Sequence, residues 1–154
     1  MHRIVAIAAL LIGLAPGAAA HACDFGCTVS RHLDAIQQRD FERFESTLAA
    51  HGTIDFILPS GRYSDDPVAY RGMLKEWFET PGWTFDYDVL RRIEGTDLGS
   101  VLLRVRYREA DRGGKPYALD HFLLLVFQKS GDRWLLVHDQ NTTIPAEPAK
   151  PAAD

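Results

Sequence analysis

The stretch that decides the fold runs from Tyr117 to Thr143, YALDHFLLLVFQKSGDRWLLVHDQNTT. Two runs rich in β-branched, aromatic and aliphatic residues flank Ser130-Gly131, a pair that stops a strand and turns the chain back. Strand alternation places His121, Leu123, Leu125 and Phe127 on one face and Phe122, Leu124 and Val126 on the other. Both faces are apolar, and a single layer of helices covers only one of them. Either a second subunit packs on the outer face, or the sheet curls on itself.

Taking Ser130-Gly131 as a two-residue turn sets Lys129 opposite Asp132, Phe127 opposite Trp134, Leu123 opposite His138 and His121 opposite Gln140. In that register His121 and His138 are diagonal neighbours on one wall with Trp134 and Leu136, while Asp139 and Asn141 point to the other face. An apolar wall broken by a few convergent polar groups is the composition of a small-molecule pocket, and imidazoles there exchange protons near neutral pH.

Upstream of the quoted stretch, period-two segments at about 83–94 and 100–109 join 117–128 and 133–143 in an antiparallel meander, with turns at Gly95 to Gly99 and Asp111 to Pro116. Before these, helical spacing links Val29, Leu33 and Ile36, and then Phe41, Phe44 and Leu48 after a capping Asp40, with His51-Gly52 as the stop. Thr53 to Leu58 forms a short strand ended by Pro59-Ser60-Gly61, and Arg62 to Ser64 is a strand stub. Asp66-Pro67 starts a third helix, whose face carries Tyr70, Leu74, Trp77 and Phe78 and which ends at Thr80-Pro81-Gly82. Helices first and strands afterwards make an α+β plan, a curved antiparallel sheet with N-terminal helices packed on its concave face.

The chain of 154 residues opens with Arg3, an apolar run from Ile4 to Leu14 and small residues up to Ala20. That is the pattern of a cleavable signal peptide over 1–20, too short in its apolar part for a spanning helix. Cleavage leaves a single domain in the periplasm or secreted medium, with no membrane attachment. The expected divisions are an N-terminal cysteine segment at 21–27, the domain at 28–144 and a Pro/Ala-rich disordered tail at 145–154. A net charge of −4 supplies no basic surface for nucleic acid. Cys23 and Cys27 read as a local disulfide, as idle thiols, or with His21 as soft ligands for copper.

The wording of several segments resembles the SnoaL-like (nuclear transport factor two-like) superfamily. The points of resemblance are Leu58-Pro-Ser-Gly61 after the first strand, Trp77 in the third helix, and above all the ending Gly131-Asp-Arg-Trp-Leu-Leu-Val-His-Asp-Gln-Asn-Thr142, within a span of about 28–144. The resemblance implies a cone-shaped fold, a pocket between helices and sheet, and in many members a homodimer. The superfamily includes isomerases, dehydratases, cyclases, epoxide hydrolases and members with no catalysis, so fold alone does not assign a reaction. Members similar to ketosteroid isomerase pair a carboxylate base with acidic donors on the opposite wall. Asp55 lies near the place of such a base, but no paired Tyr and Asp match residue by residue.

The catalytic candidates are therefore His138, His121 and Asp55, each with a structural alternative: a histidine hydrogen-bonded to backbone or to Gln140. Trp77, Trp134, Leu136, Gln140, Tyr70, Tyr63 and Trp83 are the candidate ligand contacts, the aromatics being equally suited to simple core packing. A metal site would need a third ligand beside the histidines, with Asp55 the one candidate, and no metal or cofactor is expected. Arg104, Arg106 and Arg108 alternate on one face and read as an anion site or, in preference, as a solvated or rim-facing row, with Asp120 placed to pair with Arg106. Three readings follow: an exported domain binding an unknown small molecule, an isomerase or lyase using a His or Asp base in the same pocket, and a non-catalytic homodimeric interaction module.

Overall fold

The computed structural model describes residues 23–145, so the proposed signal peptide and nearly all of the tail lie outside the described residues. Three helices precede the main sheet: α1 (Phe25–Gln38), α2 (Phe41–Glu45) and α3 (Pro67–Glu79). The strands are β1 (Asp55–Ile57), β2 (Tyr63–Ser64), β3 (Trp83–Glu94), β4 (Leu98–Glu109), β5 (Tyr117–Ser130) and β6 (Arg133–Thr143). They form one sheet in the order β2-β1-β6-β5-β4-β3, antiparallel except for the β1–β6 pair, which is parallel. The architecture is the expected α+β plan.

Local chemistry explains the helix ends. Asp24, Asp40 and Asp66 each accept hydrogen bonds from backbone N–H groups of the first turn of α1, α2 and α3, and Pro67 begins α3 where its missing N–H costs nothing. Helix α1 starts at Phe25, ahead of the expected Val29, because Asp24 supplies the cap and Phe25 is wholly buried. Cys23 and Cys27 are joined in a disulfide across that first turn.

Helix α2 is shorter than expected and ends well before His51-Gly52. The chain leaves it to pair with β6: the Leu136 N–H donates to the Thr47 carbonyl, and the Ala49 N–H donates to the Leu136 carbonyl. His32 is buried on α1 and ties down this segment, its Nδ1 lying 2.7 Å from Thr47 Oγ1.

The β5–β6 hairpin turns one residue later than the sequence suggests. β5 continues to Ser130, which pairs with Arg133, and Gly131 takes a φ of 60° that a glycine adopts freely. A turn moved in this way would leave every side chain on its expected face. A β-bulge then reverses the remainder: Phe127 pairs with Leu136 but Val126 pairs with His138, so Val137 is an extra residue on β6. Beyond it His138 and Gln140 face outward with Val126 and Leu124, while Asp139 and Asn141 face inward with Leu125 and Leu123. This corrects the expectation that His121 and His138 share a wall and that Asp139 and Asn141 point away.

The concave face holds the core. Trp134 and Leu136 are buried at its closed end, where Phe25 packs 5.1 Å from the Trp134 ring and 5.9 Å from Phe127. Each such side chain contributes roughly 1.5–3 kcal/mol by leaving water. The fit depends on Gly99, because a Cβ there would lie 2.7 Å from the Phe25 ring. Gly99→Ala is expected to lower stability in chemical denaturation by about 1–3 kcal/mol, the cost of overpacking. An unchanged midpoint would show that the Phe25 contact is loose.

Candidate functional site

At the open end of the concave face, helices and sheet diverge around a cavity of about 430 Å³. Ile36 and Phe44 of the first two helices, Leu74 and Trp77 of α3, and Phe85, Leu119 and Leu123 of the sheet give it an apolar wall. The loop at 58–60 and Arg112, in the β4–β5 turn, border it. Polar side chains enter from the β5–β6 hairpin: His121 from β5, Asp139 and Asn141 from β6.

Asp139 is 8% exposed and held from both sides. Tyr70 Oη donates to its Oδ2 at 2.9 Å, and Asn141 Nδ2 donates to its Oδ1 at 2.9 Å while also reaching the Ile57 carbonyl at 3.0 Å. Burial pushes the Asp139 carboxyl up to about 6, outweighing the two donated hydrogen bonds, which favour the charged form. The group thus exchanges its proton close to neutral pH.

His121 is 4% exposed, and its Nδ1 is the one buried side-chain polar atom without a hydrogen-bond partner among the described residues. Burial lowers its pKa to about 4, against the opposing effects of nearby Asp120 and of a hydrogen bond with Asn141, so the imidazole is neutral at physiological pH. An unpaired buried polar atom costs on the order of 1–3 kcal/mol, a cost that a ligand hydrogen bond would remove. His121 sits opposite Thr143 and Asp139 opposite Leu125. Four residues of strand, about 13 Å of backbone, therefore separate the two positions, with Asn141 level with Leu123 between them.

A second polar cluster lies at the β4–β5 end. Trp77 Nε1 donates to Tyr107 Oη at 3.1 Å, and Tyr107 Oη in turn donates to Glu109. Arg112 grips Glu109 with two parallel bonds, Nε to Oε2 at 2.7 Å and Nη2 to Oε1 at 2.5 Å, and lies 3.4 Å over the Tyr117 ring. The Arg112 bond holds Glu109 below the usual carboxylate range, and burial with the Glu109 bond raises Tyr107 to about 12.

Of the residues singled out from sequence, His121 and Trp77 border the cavity, and Tyr70 acts behind the wall by holding Asp139. Trp83 stacks on Trp77 at 4.4 Å, while Trp134 and Leu136 belong to the closed end. His138, Gln140, Asp55 and Tyr63 gather instead on the outer face. There Tyr63 Oη donates to Asp55 Oδ1 at 2.8 Å, His138 Nδ1 lies 3.9 Å from Asp55 Oδ2, and His138 Nε2 lies 3.4 Å from Gln140 Oε1. The metal set of two histidines and Asp55 is divided between the two faces of the sheet.

Asp120 pairs with Arg108 at 2.7 Å and Arg104 at 3.9 Å rather than with Arg106, which pairs with Asp88. Sequence reasoning passed over Arg112 and misplaced Asp139 and Asn141. The one signal was the unbroken apolar run Leu135-Leu136-Val137, where a strict alternation would have placed a polar residue.

These environments fix a pH dependence. Between pH 4 and 6 the unfolded chain protonates His32 and His121, whose folded values fall from 6.5 to about 3 and about 4. The folded chain instead protonates Asp139, raised from 3.8 to about 6. The unfolded state therefore binds more protons by one, and these three groups make stability rise with pH by about 1.4 kcal/mol per unit. Asp139→Asn removes the opposing contribution, so its denaturant-derived stability should climb more steeply than the wild type's by a further ~1.4 kcal/mol per pH unit. Parallel curves would mean that Asp139 is not raised.

The comparisons agree with this architecture. The family model described as SnoaL-like domain matches residues 28–147. No curated protein matches the chain by sequence. Among solved structures, a ketosteroid isomerase-like protein from Erwinia carotovora atroseptica SCRI1043 is similar at a TM-score of 0.66 and 15% identity, covering 82% of this chain and 98% of that one. An uncharacterized protein with a cystatin-like fold from Caulobacter vibrioides gives 0.65 at 10% identity, covering 78% and 87%. The association domain of C. elegans CaMKII gives 0.54 at 20% identity, covering 75% and 89%. At these identities the structural likeness speaks for the fold alone, and the family match over most of the length places the chain in the SnoaL-like domain family.

Proposed function

We propose that the chain is an exported protein whose cavity binds a small molecule, and that Asp139 takes and returns a proton on it in an isomerase- or lyase-type reaction. The observation that carries the reading is a buried carboxyl with its pKa near 6 on the wall of an apolar cavity. In the charged state Asp139 accepts a proton from a carbon or hydroxyl of the ligand, and Tyr70 and Asn141 hold its two oxygens in place. Neutral His121 hydrogen-bonds a different atom of the ligand, given its distance along the strands. His138 and Asp55, on the outer face, take no part. The ketosteroid isomerase-like neighbour supports this chemistry by analogy of fold. The interaction-module reading fits less well, because the cavity is not filled by the chain's own side chains.

The test uses the protein's own ligand. Small molecules extracted from purified Asp139→Asn protein should be converted by the wild type at a rate that falls below pH 6, and at least ~100-fold more slowly by the variant. His138→Ala should convert them like the wild type. Equal rates for wild type and Asp139→Asn would remove Asp139 from the chemistry, leaving a binding protein.

Phe122 is 39% exposed on the outer face beside Leu124 and Val126, which supports a homodimer packed through the sheet. A second copy would cover this apolar strip between the ion-paired arginine row and His138. Light scattering of the exported protein at micromolar concentration should give twice the mass of the chain beginning at His21, and Phe122→Lys should give that mass once. A wild-type monomer would exclude the dimer, and an intact Met1 would exclude the signal peptide.

A further inference from the structure

The two polar ends of the cavity limit the charge of what can enter it. On the sheet Asp139 is level with Leu125 of β5, and Tyr107 is level with Leu119. Six residues of strand, about 20 Å of backbone, separate these levels, and the inward lean of side chains on a concave face shortens the span between their tips. Between them the cavity-facing side chains of β5 are His121 and Leu123.

At the β4–β5 end the one cation bordering the cavity, Arg112, is already neutralised. Glu109 takes two of its donors in a bidentate pair and is itself only 8% exposed. The pair with Glu109 uses Nε and Nη2, so Nη1 of the half-exposed Arg112 lies outside it and can donate without offering a free net charge. At the other end Asp139 repels an anion, and His121, two residues along β5 from the level of Tyr107, is neutral.

We propose that the Glu109–Arg112 pair makes this a site for an uncharged, elongated ligand, whose carbonyl or hydroxyl oxygen accepts a hydrogen bond from Arg112 Nη1 while its other end lies against Asp139. The inference rests on the cavity being a ligand site, and it adds the charge and shape of the ligand. A carboxylate placed at Arg112 would compete with Glu109 for the same guanidinium, whereas a ligand ammonium would meet the guanidinium itself. An uncharged acceptor avoids both conflicts. Glu109 is thus the specificity-determining residue, acting through Arg112.

Three biphenyls of matched length test this: 4-acetylbiphenyl, biphenyl-4-carboxylate and (biphenyl-4-yl)methylammonium. Binding is followed by the NMR methyl signals of Met73 and Leu123, which border the cavity. The ketone should bind at least ~10-fold more tightly than either ion, the effect of about 1.4 kcal/mol. Glu109→Gln, which keeps the shape and frees the cation, should raise carboxylate affinity at least ~10-fold. Arg112→Met, which leaves Glu109 unopposed, should favour the ammonium.

A wild type that prefers the carboxylate, or a ranking unchanged in both variants, overturns the assignment to Glu109 and Arg112 while leaving the cavity a binding site. If none of the three moves either methyl signal, the reading of the cavity as a small-molecule site falls, and this inference falls with it.

Discussion

One extra residue in one strand decides which chemistry the cavity contains. At Val137 two residues of β6 stand against one of β5, and the side-chain alternation beyond that point is inverted. The bulge lies where the neighbour of β6 on its other side changes, from the segment at Thr47 to Ala49 to the short parallel strand β1. β1 extends the sheet beside Asp139 and supplies the Ile57 carbonyl that orients Asn141. Helix α3 contributes Tyr70 from the opposite side. Without the inversion, an imidazole with a partly exposed surface would occupy the wall where a buried carboxyl now stands.

Burying that carboxyl has an energetic consequence. A shift from 3.8 to about 6 corresponds to about 3 kcal/mol of instability at neutral pH, a large share of what holds a domain of this size together. Two donated hydrogen bonds moderate the cost without removing it, and the unpartnered His121 nitrogen adds to it. At the opposite end Phe25, Phe127, Trp134 and Leu136 make a tight apolar cluster, and the one buried imidazole beside it, His32, has Thr47 as a hydrogen-bond partner. The domain is thus divided into a closed end that stabilises it and an open end that carries uncompensated polar groups. That division is the usual sign of a site kept for function.

Much of this could be read before any coordinates. Alternation in β5 identified its inner and outer faces, and the Asp24, Asp40 and Asp66 caps follow from residue type, two of them anticipated. The ending at Gly131 to Thr142 suggested the family that the family model then matched. The cavity does lie against α3 and β5, but Trp134, Leu136 and His138, expected on its wall, do not line it, and Asp120 pairs with Arg104 and Arg108 rather than with Arg106. The identity of the polar residues in the cavity was not legible, because face assignment in β6 depends on a bulge, and Leu135-Leu136-Val137 offers no polar residue to mark the phase. Arg112 was hidden for a different reason. Its role comes from a bidentate pair with Glu109 and an approach to Tyr117 that only the folded turn brings about.

The buried carboxyl can be observed directly. The carboxyl ¹³C shift of Asp139, followed against pH in the wild-type protein and assigned by its loss in Asp139→Asn, reports the proton on that group alone. The account predicts a midpoint close to 6, with a linked change at Tyr70 as its hydroxyl partner gains the proton. A midpoint near the ordinary aspartate value of 3.8 would contradict it, and would mean that burial is fully offset by the bonds from Tyr70 and Asn141.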